Sequence, residues 1–279
     1  MNYDEFKNEL ARQITDYLPK EYKSWTCSVQ KVNKVNGAVD ALMLNSQEKT
    51  CVVPAIYLNK YYQQYLSGTS MKEVITSAAN EFLGGREYVK NTTEAYGLKN
   101  PKENIIYVLV NTDKNQHLLA QVPHRQIMDL SMIYRVIADI EDEGFNSAVV
   151  TNQMAEAFKM DEEALYRTAA ENTPRIMPVK IAEIGELFYI IGNSRGALGA
   201  AAVLYEGVLE NMAEILGKDL YIIPSSIHEV YIMPQGQVPA QVVKNAILDA
   251  NRTVVREEDV LSDNLYCYSR SEGRLTVAG

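Results

Sequence analysis

The chain has 279 residues, 47% hydrophobic and 23% charged, with a net charge of −9. Such a chain is long enough to bury a sizeable core as one large or two modest domains, and its composition excludes wholesale disorder. The acidic balance, with no basic stripe, argues against nucleic acid as a partner, and the longest apolar runs, such as GALGAAAVLY (196–205), are far too short to cross a membrane.

The opening MNYDEFKNEL is acidic and amphipathic and lacks the apolar stretch of a secretory signal, so the expected location is the cytoplasm. Over 4–18, Phe6, Leu10, Ile14, Tyr17 and Leu18 fall on one face of a helix. Strand-like runs at 24–32 and 38–44, joined through Asn36 and Gly37, predict a hairpin. After Val52, Val53 and Pro54, two helices are expected at 55–66 and 71–83, with Gly68 between them and Gly84 and Gly85 closing the second. The polar stretch 90–103 is the best place for a boundary, giving units 1–95 and 96–279, or else one continuous domain.

Beyond it, NIIYVLV (104–110) has the length and branching of a buried strand, and 114–120 is helical in pattern. Residues 129–140 fit helix or strand, with β-branching favouring strand, and 145–150 is a further strand. Thr151 is placed to cap a helix over 152–158, and 161–170 forms the next, with acidic residues in its first turn. Strands are then expected at 187–191 and 199–205, a helix at 206–216 stopping at Gly217, and two strands within YIIPSSIHEVYIMP (221–234). A helix at 238–250 and a hairpin around Glu272 and Gly273 end the chain. Short links between consecutive strands imply antiparallel pairs, so the expected class is α+β, with mainly antiparallel sheets and helices packed on them.

The candidate chemistry is sparse. Ser226, His228 and Glu229 share the strand-to-strand stretch, but alternation in an extended chain turns Glu229 away from His228, so any carboxylate completing a triad must come from elsewhere. Proline followed by two serines is good turn chemistry. A metal is not expected, because His117 and His124 lie about a hundred residues from His228 and the three cysteines have no ligand spacing. Cys27, Cys51 and Cys267 are expected as reduced thiols, Cys27 and Cys267 as small buried hydrophobes. The glycine-rich 192–199 lacks both the P-loop ending and the dinucleotide spacing, which leaves a tight connection between strands. Arg125 follows a proline near an element boundary, and Asn172 and Arg175 flank another; these could hold an anion or serve as cap and turn residues. No cofactor is implied.

The stretches VPAIYLNKYYQQYLSG, LLAQVPHRQIMDL, AAENTPRIMP, GAAAVLYEGVLENMAEILGKDLYIIPSSIHEV and NRTVVREEDVLSDNLYCY resemble an uncharacterised family of Gram-positive bacterial proteins, domain of unknown function 5688. A looser similarity links AAENTPRIMP and the strand with His228 to a second such family. The resemblance implies a bacterial cytoplasmic protein carried on mobile elements, and brings no activity, cofactor or catalytic residue. Two readings follow: a non-enzymatic interaction or modulatory protein with a protein partner, or a hydrolase with His228 as general base. Oligomeric state is left open.

Overall fold

The structure is a computed structural model that describes residues 1–45, 54–93, 101–141, 144–185 and 187–279. Cys51, Val52, Val53 and much of the expected boundary stretch lie outside the described residues. The chain divides into two compact units, Met1–Lys99 and Asn100–Gly279, and the class is α+β.

The first unit opens with α1 (Tyr3–Gln13), capped by Asn2, whose side chain accepts from the Glu5 N–H while the Glu5 carboxylate accepts from Asn2 N–H. A 3-10 turn, Ile14–Tyr17, extends it. Phe6, Leu10, Ile14 and Leu18 are buried as the helical spacing requires, with Tyr17 half-buried beside them. The hairpin pairs β1 (Thr26–Lys34) with β2 (Gly37–Asn45) through a two-residue turn in which Asn36 takes the left-handed conformation, φ 61°. The expected helix at 55–66 begins as a short strand, β3 (Ala55–Tyr57), which pairs with β2 and buries Ile56 before α2 (Leu58–Leu66) starts.

The next helix, α3 (Met71–Thr93), runs straight through Gly84 and Gly85 instead of stopping there. The physical reason is packing rather than capping. A Cβ at position 85 would stand 2.9 Å from Pro54 Cβ, so glycine lets the helix approach the chain entering β3, whereas position 84 faces open space.

The second unit holds two sheets. In the first, β4 (Ile105–Asn111) pairs with β6 (Leu130–Glu141), which also carries β5 (His124–Ile127) and β7 (Gly144–Val149). The segment ambiguous in sequence is thus the central strand. After β4 comes a short helix, α4 (Gln116–Leu119); after β7 come α5 (Asn152–Phe158), capped by Thr151, and α6 (Glu162–Ile176), capped by Asp161. The last of these runs a further turn and a half beyond the expected 170.

The second sheet has the order β13-β12-β10-β11-β9-β8, every pair antiparallel. Its strands are β8 (Val179–Ile184), β9 (Phe188–Asn193), β10 (Leu220–Pro224), β11 (Val230–Pro234), β12 (Tyr266–Ser269) and β13 (Arg274–Val277). Strand β8 escaped the sequence because all six of its residues are exposed, leaving no in-and-out alternation to read. The strand expected at 199–205 is instead a 3-10 turn, Gly199–Leu204, with Gly199 through Val203 all buried. A run buried on every side gives no period with which to tell the two apart.

Helix α7 (Val208–Leu216), ended by left-handed Gly217, precedes the hairpin of β10 and β11, and α8 (Ala240–Thr253) follows it. Alternation assigns the faces: Leu220, Ile222, Val230 and Ile232 are buried on one side, and Tyr221 and Met233 meet Val243 and Ile247 of α8 on the other. The two sheets are tied by the Asp129 carboxylate, which accepts from Ser262 Oγ at 2.7 Å and from the Tyr266 hydroxyl at 2.8 Å.

Gly84→Ala is expected to stabilise the protein by about 0.5–1 kcal/mol through helix propensity. Gly85→Ala should lose about 1 kcal/mol net, because overpacking against Pro54 outweighs the same gain. Urea denaturation of the pair separates the effects, and equal shifts would remove the close-approach account.

Candidate functional site

The stretch that carries Ser226 and His228 forms the bend between β10 and β11. Ser226 N–H donates to the Glu229 carbonyl at 3.1 Å, and Ser226 Oγ accepts from His228 N–H at 3.1 Å. The serine hydroxyl therefore serves the backbone of the turn and is not directed at the imidazole. Glu229 is engaged through its backbone as well.

A carboxylate does arrive from elsewhere. Asp259, 9% exposed, lies with Oδ1 3.2 Å from His228 Nε2, and its Oδ2 accepts from Arg256 Nε at 2.8 Å and Nη2 at 2.7 Å. On the opposite side of the ring, Nδ1 accepts from the backbone N–H of Leu198 at 3.1 Å. An amide can only donate, so Nδ1 is the bare nitrogen and Nε2 carries the hydrogen given to Asp259. In a Ser–His–Asp site one nitrogen must be free to take the nucleophile's proton. Here both nitrogens are engaged by the protein's own groups.

The contacts instead make a clasp. Ile227 N–H donates to the Asp259 carbonyl at 2.8 Å, and Ala200 N–H to the Ile227 carbonyl at 3.3 Å. The glycine-rich segment 192–199 lies directly on the bend. A Cβ at Gly199 would meet the His228 carbonyl oxygen at 2.6 Å and Asn193 N at 2.7 Å, both rigid backbone atoms. Leu198 sits in the left-handed region, φ 55°, and its N–H reaches the imidazole from there. A strained leucine is tolerated where the surroundings fix it.

The other candidates are equally committed. Arg125 makes a two-pronged contact with Glu162, Nε to Oε1 at 3.1 Å and Nη2 to Oε2 at 2.9 Å, reaches Glu163 at 2.6 Å, and stacks 3.8 Å from the Tyr166 ring centre. Its anion is the protein's own. These contacts hold the guanidinium above its ordinary range, and Arg167 and then Arg125 draw the Glu163 carboxyl below the usual carboxylate range. Asn172 donates to the Lys102 carbonyl at 2.6 Å and to Ile105 at 3.1 Å, while Thr173 Oγ1 accepts from Tyr107 N–H at 3.0 Å. Arg175 donates to the Glu103 carbonyl at 2.7 Å and to Asn172 Oδ1 at 2.9 Å. The AAENTPRIMP segment is thus a strap along the open edge of β4. Arg125 and Arg175 meet opposite ends of α6, about 18 Å apart at 1.5 Å per residue, so they share no cleft.

Burial pushes the Cys27 thiol up to about 12 and raises Cys267 as well, so neither is an activated nucleophile. Among the described residues, no three His, Cys, Asp or Glu side chains are placed to hold a metal ion.

Missed by sequence reasoning is an apolar trough beside the bend. Phe188, Ile223, Tyr231 and Met233 of the sheet and Val242, Ala246 and Val254 of α8 and its end enclose about 470 Å³, with Ser225 at one end. Val242 is 55% exposed and Val254 79%. Strand β8 continues the same sheet face, Ile184 pairing beside Phe188 and Ala182 beside Ile190.

The profile of one family, described as a family of unknown function (DUF5688), matches residues 3–188 and 185–270. No curated protein and no solved structure matches the chain significantly.

Asp259→Asn keeps the shape but offers one acceptor to two donors, and is expected to cost about 1–3 kcal/mol. Arg256→Ala, at an exposed side chain, should cost less than about 1 kcal/mol. Urea denaturation at neutral pH ranks them, and the reverse order would overturn the clasp. Iodoacetamide at pH 8 is expected to leave Cys27 largely unmodified in the folded chain and to label it in denaturant, with labelling of the folded chain rising only as the pH nears 12; peptide-resolved mass spectrometry reads this.

Proposed function

The chain belongs to the family of unknown function DUF5688, and we propose that it works as a non-enzymatic interaction protein whose C-terminal unit binds a partner protein along the trough between α8 and the second sheet. One observation carries the reading. The polar residues that could run a reaction are consumed by internal contacts, while an apolar face stays open, with valines 55% and 79% exposed at its rim. Exposed apolar surface of this kind has no solubility role and is where partners dock.

The occupant is an amphipathic helix with basic flanks. An apolar stripe suits the valine-, isoleucine- and phenylalanine-lined trough, and basic flanks complement a chain of net charge −9. The setting proposed is the bacterial cytosol, with modulation of a mobile-element process as its context, on the family resemblance alone.

Val242→Glu with Val254→Glu should leave thermal unfolding unchanged, since both side chains already face water. With purified components, it should weaken a partner recovered on the wild-type chain by tenfold or more, at about 1 kcal/mol per lost anchor. A partner set identical on wild type and variant overturns the proposal. So does analytical ultracentrifugation in which the wild type dimerises and the variant does not, because the trough is then filled by a second copy.

A further inference from the structure

The outermost strand of the second sheet is paired on one side only. Strand β8 ends the order β13-β12-β10-β11-β9-β8, and among the described residues no strand pairs with its other edge. All six of its residues are exposed, and its apolar side chains lie on both faces. Ile181 continues the row of Ile191 and Val230, both buried, while Ile184 continues the row of Phe188 on the trough side. Val179 is 38% exposed, Ile181 43% and Ile184 45%. Apolar residues on both faces are the pattern of a strand with neighbours all round, not of a solvated edge.

The backbone along this edge is open as well. Ser194 N–H donates to the Pro178 carbonyl at 2.8 Å, one step before the pair Val179 and Asn193. Bonded and non-bonded pairs alternate along an antiparallel ladder. Pro178, Lys180, Ala182 and Ile184 therefore turn their backbone polar groups toward β9, and Val179, Ile181 and Glu183 turn theirs outward. Among the described residues no hydrogen bond engages those outward groups. The edge of β4 meets the same problem and is closed by Asn172 and Thr173 of α6. Strand β8 has no such strap among the described residues.

The edge is complementary to itself. Opposed residues on antiparallel strands share a face, so two copies related by a twofold axis through the sheet can align only about a residue. Centring on Lys180 or Glu183 sets like charges against each other. Centring on Val179, Ala182 or Ile184 leaves outward groups hanging past the end of the strand. Centring on Ile181 opposes Val179 to Glu183 and Ile181 to itself, so every outward N–H and C=O along the strand finds a partner. On the other face the Lys180 stem then lies across from the small Ala182, and Ile184 lies across from Pro178.

We propose that the chain self-associates through β8, two copies pairing antiparallel about Ile181 so that their six-stranded sheets join into one. Val179, Ile181 and Ile184 then lose water, and the new ladder satisfies the outward backbone groups. A single strand is at the low end of interface size, so the dimer is reversible and concentration-dependent. No residue of β8 lines the partner-binding trough. Partner recovery reads the trough and self-association reads the edge, so either proposal can fail alone.

Sedimentation velocity of the full chain over a micromolar concentration series is expected to show a monomer–dimer equilibrium. Ile181→Lys should weaken it by about tenfold or more, because it sets two lysines against each other at the axis. The unfolding temperature of the dilute chain should hold, since that side chain already faces water. Ile181→Pro removes the outward N–H at the axis without taking a bond from β9, and should weaken the dimer likewise. Air oxidation of Ile181→Cys should link two chains, because opposed Cα atoms in a bonded pair stand about 5.5 Å apart. Val277→Cys, on the opposite edge and 42% exposed, should stay largely unlinked. A wild type that is monomeric throughout overturns the proposal, as does a dimer that Ile181→Lys leaves untouched or that Ile181→Cys fails to link. Loss of the dimer in Val242→Glu with Val254→Glu overturns it by assigning the contact to the trough. Preferential linking at Val277→Cys overturns it by assigning the contact to β13.

Discussion

The buried carboxylate of Asp259 holds together chain segments that no helix or sheet ladder joins. It accepts from His228 on one oxygen and Arg256 on the other, and its own carbonyl receives the N–H of Ile227. A carboxylate taken out of water needs that many donors to be tolerated. Once satisfied, it fixes the bend between β10 and β11 and the tautomer of the imidazole. The bare Nδ1 then receives Leu198 N–H, and the glycine-rich segment settles against the bend with no room for a Cβ at position 199. The buried 3-10 turn that follows, and the start of α7, inherit their positions from that contact.

The open edge of β4 obeys the same rule. An edge strand buried under a helix would leave N–H and C=O groups without water or a neighbouring strand. Asn172 and Thr173 supply the missing partners from the last turns of α6, and Arg175 extends the line to Glu103. Pro174, which has no N–H of its own, costs little in a helix that ends at Ile176. A segment whose side-chain chemistry resembles an anion site is therefore a substitute strand.

Those two cases show what was legible in the sequence. The amphipathic first helix, the hairpin at Asn36, the α+β class and the strands of YIIPSSIHEVYIMP follow from local periodicity, because each has one wet and one dry face. Elements without that contrast were lost or misread: β8 is wet on both faces, and Gly199–Leu204 is dry on every side. Gly84 and Gly85 mark a helix end in sequence, yet Gly85 answers to Pro54, which only the fold brings near. The site residues were visible as polar clusters, but their partners, Asp259 for His228, Glu162 for Arg125 and Ile105 for Asn172, lie 31, 37 and 67 residues away. Ser226, His228 and Glu229 all lie in the bend before β11 begins at Val230, so alternation along a strand does not set their directions.

The C-terminal unit carries an apolar trough on one face of the second sheet and an acidic groove, lined by Glu210, Glu214 and Asp219, toward the other. Neighbouring residues of β10 set the two characters: Tyr221 joins the apolar side under α8, and Leu220 packs beside Tyr268 at the acidic groove. Side chains that alternate along a strand cannot trade faces without a register shift, and every strand of this sheet except β8 and β13 is paired on both sides. An apolar trough and an acidic groove are thereby kept back to back, and a change that tunes one surface leaves the other chemically intact. That separation is a consequence of strand geometry rather than of any single residue, which is why neither surface announces itself in the linear sequence.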